Sequence, residues 1–281
     1  MAEKRKVNKP KAKVEAKKKT KVAKKITKVK VPKVKKAKPQ KIQKDKSGSY
    51  KLNATLNDLL EAGCHFGHTI AKTHPKITPY LYTSRDNIQI FDLIKTRDCL
   101  EKACIFLNKL AKEGKPIIFI GTKRQAKKIV QEVAKDAGVY YVTERWLGGT
   151  ITNWKEIQKR LKILAKMKED WEKGVYKKRP KKEQSLIKKE IGKMDKFFGG
   201  LLGLQDLPSA LFVVDIKKEK SAISEAIKES IPIIALVDSN SDPTIVDYPI
   251  PANDDALKSI NLLVSEVGNA SKTILKPKKE D

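Results

Sequence analysis

The spacing of hydrophobic positions changes several times along this chain, and those changes divide it. Ile117-Ile118-Phe119-Ile120 is a short continuous apolar run bounded by Pro116 and Gly121, the pattern of a strand buried on both faces. Ala210 to Asp215 and Ile231 to Asp238 repeat it, Val139 to Val142 is a shorter version, and Tyr248-Pro249-Ile250 marks a last short strand. Between the runs the spacing lengthens to three and four. Leu100, Ala103, Leu107 and Leu110 predict a helix from Leu93 to Ala111, and further helices are expected over 123–137, from Ser221 to Ser230 and from about Asp254 to Val267. Upstream, Leu56, Leu59 and Leu60 form one face of a short helix with Thr55 or Asn53 as its cap. Tyr80-Leu81-Tyr82 and Ile88 to Phe91 follow as two strands joined by the turn Ser84 to Asn87. Counting these as the first strand makes Val139–Val142 the third, in the order β-α-β-α-β, an insertion, then β-α-β-(β)-α. Such alternation predicts an α/β fold with a parallel sheet covered on both faces.

The insertion has a different pattern. Ile157, Leu161, Leu164 and Trp171 recur at spacings of 4, 3 and 7, and after Gly174 and Pro180 the pattern resumes with Ile187, Ile191, Met194 and Phe198 at 4, 3 and 4. Two amphipathic helices joined by a short basic loop predict an antiparallel coiled-coil hairpin over 155–198, with outer faces mostly of lysine. The body then comprises 50–154 and 199–270, followed by a polar tail over 271–281. Where body and arm meet, Arg145 to Trp154 holds two tryptophans and a glycine pair. Gly148-Gly149 would turn the chain into the arm, and Trp146 and Trp154 are read as wedges between arm and body rather than as stacking platforms.

Charge changes this picture most at the amino end. The formal net charge is +29, and residues 1–50 hold 21 Lys+Arg against 3 Asp+Glu, while 155–198 hold 16 against 7. The remainder is nearly neutral. A core with two cationic appendages implies a polyanionic partner. Residues 1–49 are Lys/Ala/Val/Pro low-complexity without aromatics, and a disordered phosphate-binding tail is expected there. Three cysteines without disulfide-like spacing suit a reducing compartment. With no apolar run of spanning length and no apolar segment behind the basic start, a cytoplasmic protein without membrane contact is the expectation.

Candidate chemistry is sparse. The strand at 117–120 leads into Gly121-Thr122-Lys123-Arg124-Gln125, which lacks the glycines of a dinucleotide loop and the pattern of a phosphate loop. Lys123 and Arg124 either hold a polymer phosphate at the helix start or form a solvated first turn. His65 and His68 beside Cys64 are weak zinc candidates: no Cys-x-x-Cys exists and no glutamate separates the histidines, so packing and hydrogen bonding are preferred and no metal or cofactor is expected. Asp238 to Asp242 begins like a calcium loop, but Pro243 and Pro249 occupy the positions that need glycine and glutamate. Asp215 and Asp238, at strand ends, could form a carboxylate dyad if both lined a cleft. The residues alone therefore leave an enzyme with a strand-end cleft, a general polyanion binder and a nucleic-acid-binding protein in play.

Four stretches carry a resemblance. Leu59-Leu60-Glu61-Ala62-Gly63-Cys64-His65-Phe66-Gly67-His68, Arg145 to Trp154, Leu207 to Asp215 and Ile231 to Pro243 occur in that order, and the chain from about Thr55 to Val267 closely resembles the family of small-subunit ribosomal protein two of the bacterial type. The resemblance implies a flavodoxin-like three-layer α/β/α body with a projecting coiled coil, no active site, and binding to small-subunit ribosomal RNA. It also implies contact with neighbouring small-subunit ribosomal proteins and with the large mRNA-binding ribosomal protein one. Thr73-His74-Pro75 departs from the family's Trp-Asn-Pro, and the Lys-rich tail lies outside the family's pattern. On this reading Lys123, Arg124, Arg145, Asn153, Lys155, Lys177, Lys178 and Arg179 are the RNA-facing candidates, and the protein is expected in the cytoplasmic ribosome.

Overall fold

The computed structural model describes residues 50–272, so the expectations for 1–49 and for most of 271–281 lie outside the described residues. Three short strands come first in the chain, β1 (Phe66–Thr69), β2 (Leu81–Arg85) and β3 (Ile88–Phe91). Five parallel strands then form the central sheet: β4 (Ile117–Ile120), β5 (Tyr140–Val142), β6 (Ala210–Val214), β7 (Ile233–Val237) and β8 (Tyr248–Pro251). Their spatial order is β5-β4-β6-β7-β8, the 2-1-3-4-5 order of flavodoxin-like folds, whose connections reverse direction between the first and third strands. Here that switch point lies between β4 and β6.

Every residue of β4, β6 and β7 is buried because helices cover both faces. Ile117, Phe119, Phe212, Ile234 and Leu236 point to one side, where they pack with α2 (Leu93–Lys112), α3 (Lys127–Ala137) and α7 (Leu257–Ala270). Ile118, Ile120, Leu211, Val213 and Ala235 point to the other, toward α6 (Lys220–Lys228) and the root of the helical arm. Two separate hydrophobic clusters, one per face, follow directly from the two-residue alternation of strand side chains.

The first predicted strand pair is not in this sheet. β2 and β3 join β1, which the hydrophobic pattern did not predict, in a separate antiparallel sheet of order β1-β3-β2. β2 is exposed over four of its five residues, so it could not have occupied a doubly covered position. Asp86 and Asn87, both at positive φ, make the two-residue hairpin turn that commits the pair to antiparallel pairing. Tyr140–Val142 is therefore the second parallel strand and sits at an edge.

Several helix starts differ from those the spacing predicts. Thr55 caps α1 (Leu56–Glu61) in a reciprocal box with Asp58, while the Asn53 amide is bonded to Glu266 instead. α3 begins at Lys127 because 123–126 form a turn closed by the Lys123 carbonyl, and α7 begins at Leu257, after an Asx-type turn on Asn253. At the departure from the family pattern, the His74 amide donates to Ser239 O (2.8 Å), and its ring accepts from the Lys76 amide. Among the described residues no helix is long and apolar enough to cross a membrane.

Candidate nucleic-acid interface

The arm consists of α4 (Trp154–Glu172) and α5 (Lys181–Phe198), and a helix of α4's length extends about 28 Å. Ile157, Leu161, Leu164 and Phe198 are buried along its seam and root. On the outward side of α4, Lys155, Lys159, Lys162, Lys166 and Lys173 recur at helical spacing, and Lys182, Lys189 and Lys196 do so on α5; all are exposed. Positive charge is thus arranged in rows, the form that suits a phosphate backbone, although Lys159, Lys173 and Lys196 also pair with Glu156, Glu169 and Glu144. At the tip, Lys177, Lys178 and Arg179 are exposed. The Arg179 guanidinium lies over the Tyr176 ring at 5.6 Å, and Tyr176 leans on Trp171 at 6.2 Å.

What aims the arm is a buried carboxylate from elsewhere in the chain. Glu225 of α6, 8 % exposed, accepts hydrogen bonds from the Trp146 indole Nε1 (3.1 Å) and from the backbone amides of Gly149 (2.8 Å), Ile151 (2.9 Å) and Thr152 (3.2 Å). Burial opposes its ionisation, but the donors from Ile151, Gly149, Trp146 and Thr152 outweigh burial and hold the carboxyl below its usual range. Gly149 sits at φ +87°, where any side chain is strained. Gly148 has an ordinary φ and open space where a methyl group would stand, so only one of the glycine pair is needed for the turn. Trp146 is buried in the second hydrophobic cluster, and half-buried Trp154 packs against the same cluster as it opens α4. The chain's exit from α5 is pinned too, in a short 3-10 turn over Gly199–Leu201: a Cβ on Gly200 would collide with the Tyr141 carbonyl oxygen of β5, so the backbone of the arm's exit rests directly on the sheet edge.

The carboxyl end of the sheet, where folds of this order place ligands, is filled by the protein's own charges. Lys123, 12 % exposed, lies 2.7 Å from Asp254, 2.6 Å from Asp255 and 3.7 Å from Asp215. Burial opposes its charge, but Asp254, Asp255 and Asp215 prevail and raise its pKa. Thr122 Oγ1 and its amide both donate to buried Glu219, and Lys218 Nζ donates to the Thr122 carbonyl. Lys123 is therefore engaged as an internal counter-ion, and not as a solvated first turn. Arg124, Arg145, Asn153 and Lys155 are exposed beside it and at the arm root.

The two strand-end aspartates are likewise engaged. Asp215, at φ +71°, accepts from the amides of Lys217 and Lys218. Asp238 accepts from the Ser239 amide and lies 3.0 Å from His68 Nδ1. His68 Nε2 is 3.5 Å from Asp255. Ligand atoms of His68, Asp238 and Asp255 fall within 4.8 Å of one another, so these three, and not the local Cys64-His65-His68 set, are the residues that could hold a cation. His65 instead lies against Phe66 in a tilted ring contact at 4.0 Å, with its Nδ1 buried and unpaired. Burial and the charges of Asp238 and Asp215 push Asp254 up to about 7.

Comparison with known proteins agrees with this architecture. The sequence model of the Ribosomal protein S2 family matches residues 59–273, which takes in the sheet, the acidic strand ends, the Glu225 junction and the arm. The chain belongs to that family. A protein described as "Small ribosomal subunit protein uS2" from Rippkaea orientalis is 44% identical over 216 residues, covering 77% of this chain and 81% of its own. One of the same description from Picosynechococcus sp. is 42% identical over 216 residues, covering 77% and 84%. Of the features now assigned to the S2 fold here, Glu225 and the Lys123 cluster escaped sequence reading. The only local signal for Glu225 was an acidic residue on an otherwise apolar helix face between Ile223 and Ala226.

Proposed function

We propose that the protein is a structural constituent of the cytoplasmic small ribosomal subunit and binds small-subunit ribosomal RNA without catalysing a reaction. The observation that carries this reading is the lysine-rowed arm, fixed at both roots to a neutral body whose ligand crevice is closed by internal ion pairs. The body supplies shape and the arm supplies charge along a line, the division of labour expected of a protein that recognises folded RNA by its backbone. Family membership supports the same reading. Arg124, Arg145, Asn153 and Lys155 at the root, with Lys177, Lys178 and Arg179 at the tip, are the proposed contacts. Residues 1–49 are proposed to add further phosphate contacts, and contact with the large ribosomal protein one is proposed on the family resemblance.

The test is the salt dependence of binding to small-subunit ribosomal RNA. Each phosphate contact contributes roughly 0.7–0.9 to the slope of log K against log salt. Replacing Arg145, Lys155, Lys177 and Lys178 by Gln is expected to reduce that slope by about 3, and deleting residues 1–49 to reduce it further with an unchanged melting temperature. Slopes indistinguishable from the parent protein's, for both variants, would remove the interface.

A further inference from the structure

The arm's charge is not spread evenly around it. Its inner seam is formed by Ile157, Leu161, Leu164 and Trp171 of α4 and by Gln184, Ile187, Ile191 and Met194 of α5. Residues immediately preceding a seam residue form one flank of each helix, and antiparallel packing turns those two flanks to the same side. On that side stand Glu156, Asp170, Glu183 and Glu190, four of the arm's seven carboxylates, with only Arg160 and Lys193 of its sixteen cations. Between the acids lie Ile163 and Leu186, 52% and 58% exposed. The opposite flank at the arm root is covered, since Gln158 donates to the Gln205 carbonyl there. The acidic flank carries no such cover from the body among the described residues; its carboxylates meet only the arm's own side chains, Lys159 on Glu156 (2.7 Å), Arg179 near Glu183 (3.8 Å) and the Tyr176 hydroxyl on Asp170 (3.5 Å).

We infer that this flank is a protein-docking surface, and that its occupant is a basic, aliphatic-bearing segment of a neighbouring protein. Carboxylates repel phosphate, so the flank is unsuited to RNA while the lysine rows a third of a turn away suit it. Exposed aliphatic side chains ringed by like charge match a partner of opposite charge with apolar residues at its centre. The arm then works as a two-sided element: its outward rows face nucleic acid and its acidic flank faces protein. This inference takes membership of the small subunit as given.

Site-specific photocrosslinking in isolated, assembled small subunits tests it, using the full chain with p-benzoylphenylalanine at position 186 or at position 189. The Leu186 probe is expected to capture a protein peptide richer in Lys and Arg than in Asp and Glu, and the Lys189 probe to capture RNA. In a Glu183→Lys, Glu190→Lys background the protein crosslink per incorporated copy should fall at least fivefold. If that reversal prevents incorporation, the Glu183→Gln, Glu190→Gln pair is read in the same way. Capture of RNA at position 186, capture of residues 1–49 of the chain itself, absence of any crosslink, or a yield indifferent to the charge changes would each overturn the inference. Failure of the Lys189 probe to reach RNA would instead count against the RNA-binding reading and leave the flank untouched.

Discussion

Removing the carboxylate of Glu225 should loosen the arm before it unfolds the body. Glu225→Ala leaves the Trp146 indole and the amides of Gly149, Ile151 and Thr152 without their acceptor. A stranded buried donor costs about 1–3 kcal/mol, but these four share one loop that can relax and admit water, so their costs do not add. Hydrogen bonds to a charged group are worth about 1.5–3 kcal/mol each, so losing the equivalent of two of them gives an expected destabilisation of about 3–5 kcal/mol. For a domain of this size it lowers Tm by roughly 6–20 °C. Glu225→Gln keeps one oxygen but turns an N–H2 toward amide donors, and about 2 kcal/mol is expected. The sign with pH follows from the depressed carboxyl. A group whose folded pKa lies below its unfolded value contributes stability that is present above the unfolded value, about 4.3 for glutamate, and is lost as pH falls through the folded one. The gap between the parent protein and Glu225→Gln should therefore be constant from pH 8 to about 5 and close on further acidification. Chemical denaturation followed by near-ultraviolet circular dichroism, which reports on buried Trp146, measures both quantities. A loss below about 1 kcal/mol for Glu225→Ala, or a gap that does not close in acid, would refute the reasoning.

Two further outcomes follow from the same structure. Lys123→Met should destabilise by about 3–5 kcal/mol at pH 8 by leaving Asp215, Asp254 and Asp255 without their shared cation; the penalty should shrink toward pH 5 as Asp254, already pushed up to about 7, takes up its proton, while the salt slope of RNA binding stays as in the parent. A reduced slope with intact stability would restore Lys123 to the interface. Gly200→Ala should cost about 1–3 kcal/mol, because its methyl meets the Tyr141 carbonyl, whereas Gly148→Ala should change stability by no more than about 0.5 kcal/mol; equal melting temperatures for the two variants would show that the arm's exit does not rest on β5.

The sequence by itself determined the elements whose cause is local. Continuous apolar runs made 117–120, 210–214 and 233–237 buried strands, because only a doubly covered strand tolerates apolar residues on both sides. Spacings of three and four made 155–198 a pair of helices, and the cap of α1 was narrowed to Thr55 or Asn53. Tertiary structure alone decided what depends on residues distant in the chain meeting in space. Glu225 lies 73 to 79 positions from the donors it binds, Lys123 lies 131 from Asp254, and His68 finds Asp238 at the end of β7 and Asp255 in the turn before α7, both beyond the arm. Periodicity reports which way a side chain faces, not which charge will stand opposite it. For the same reason β2 and β3 were legible as strands, but their separation from the main sheet was not. Sheet membership is settled by the partner strand, and β1 supplied a partner that its short, polar sequence did not advertise.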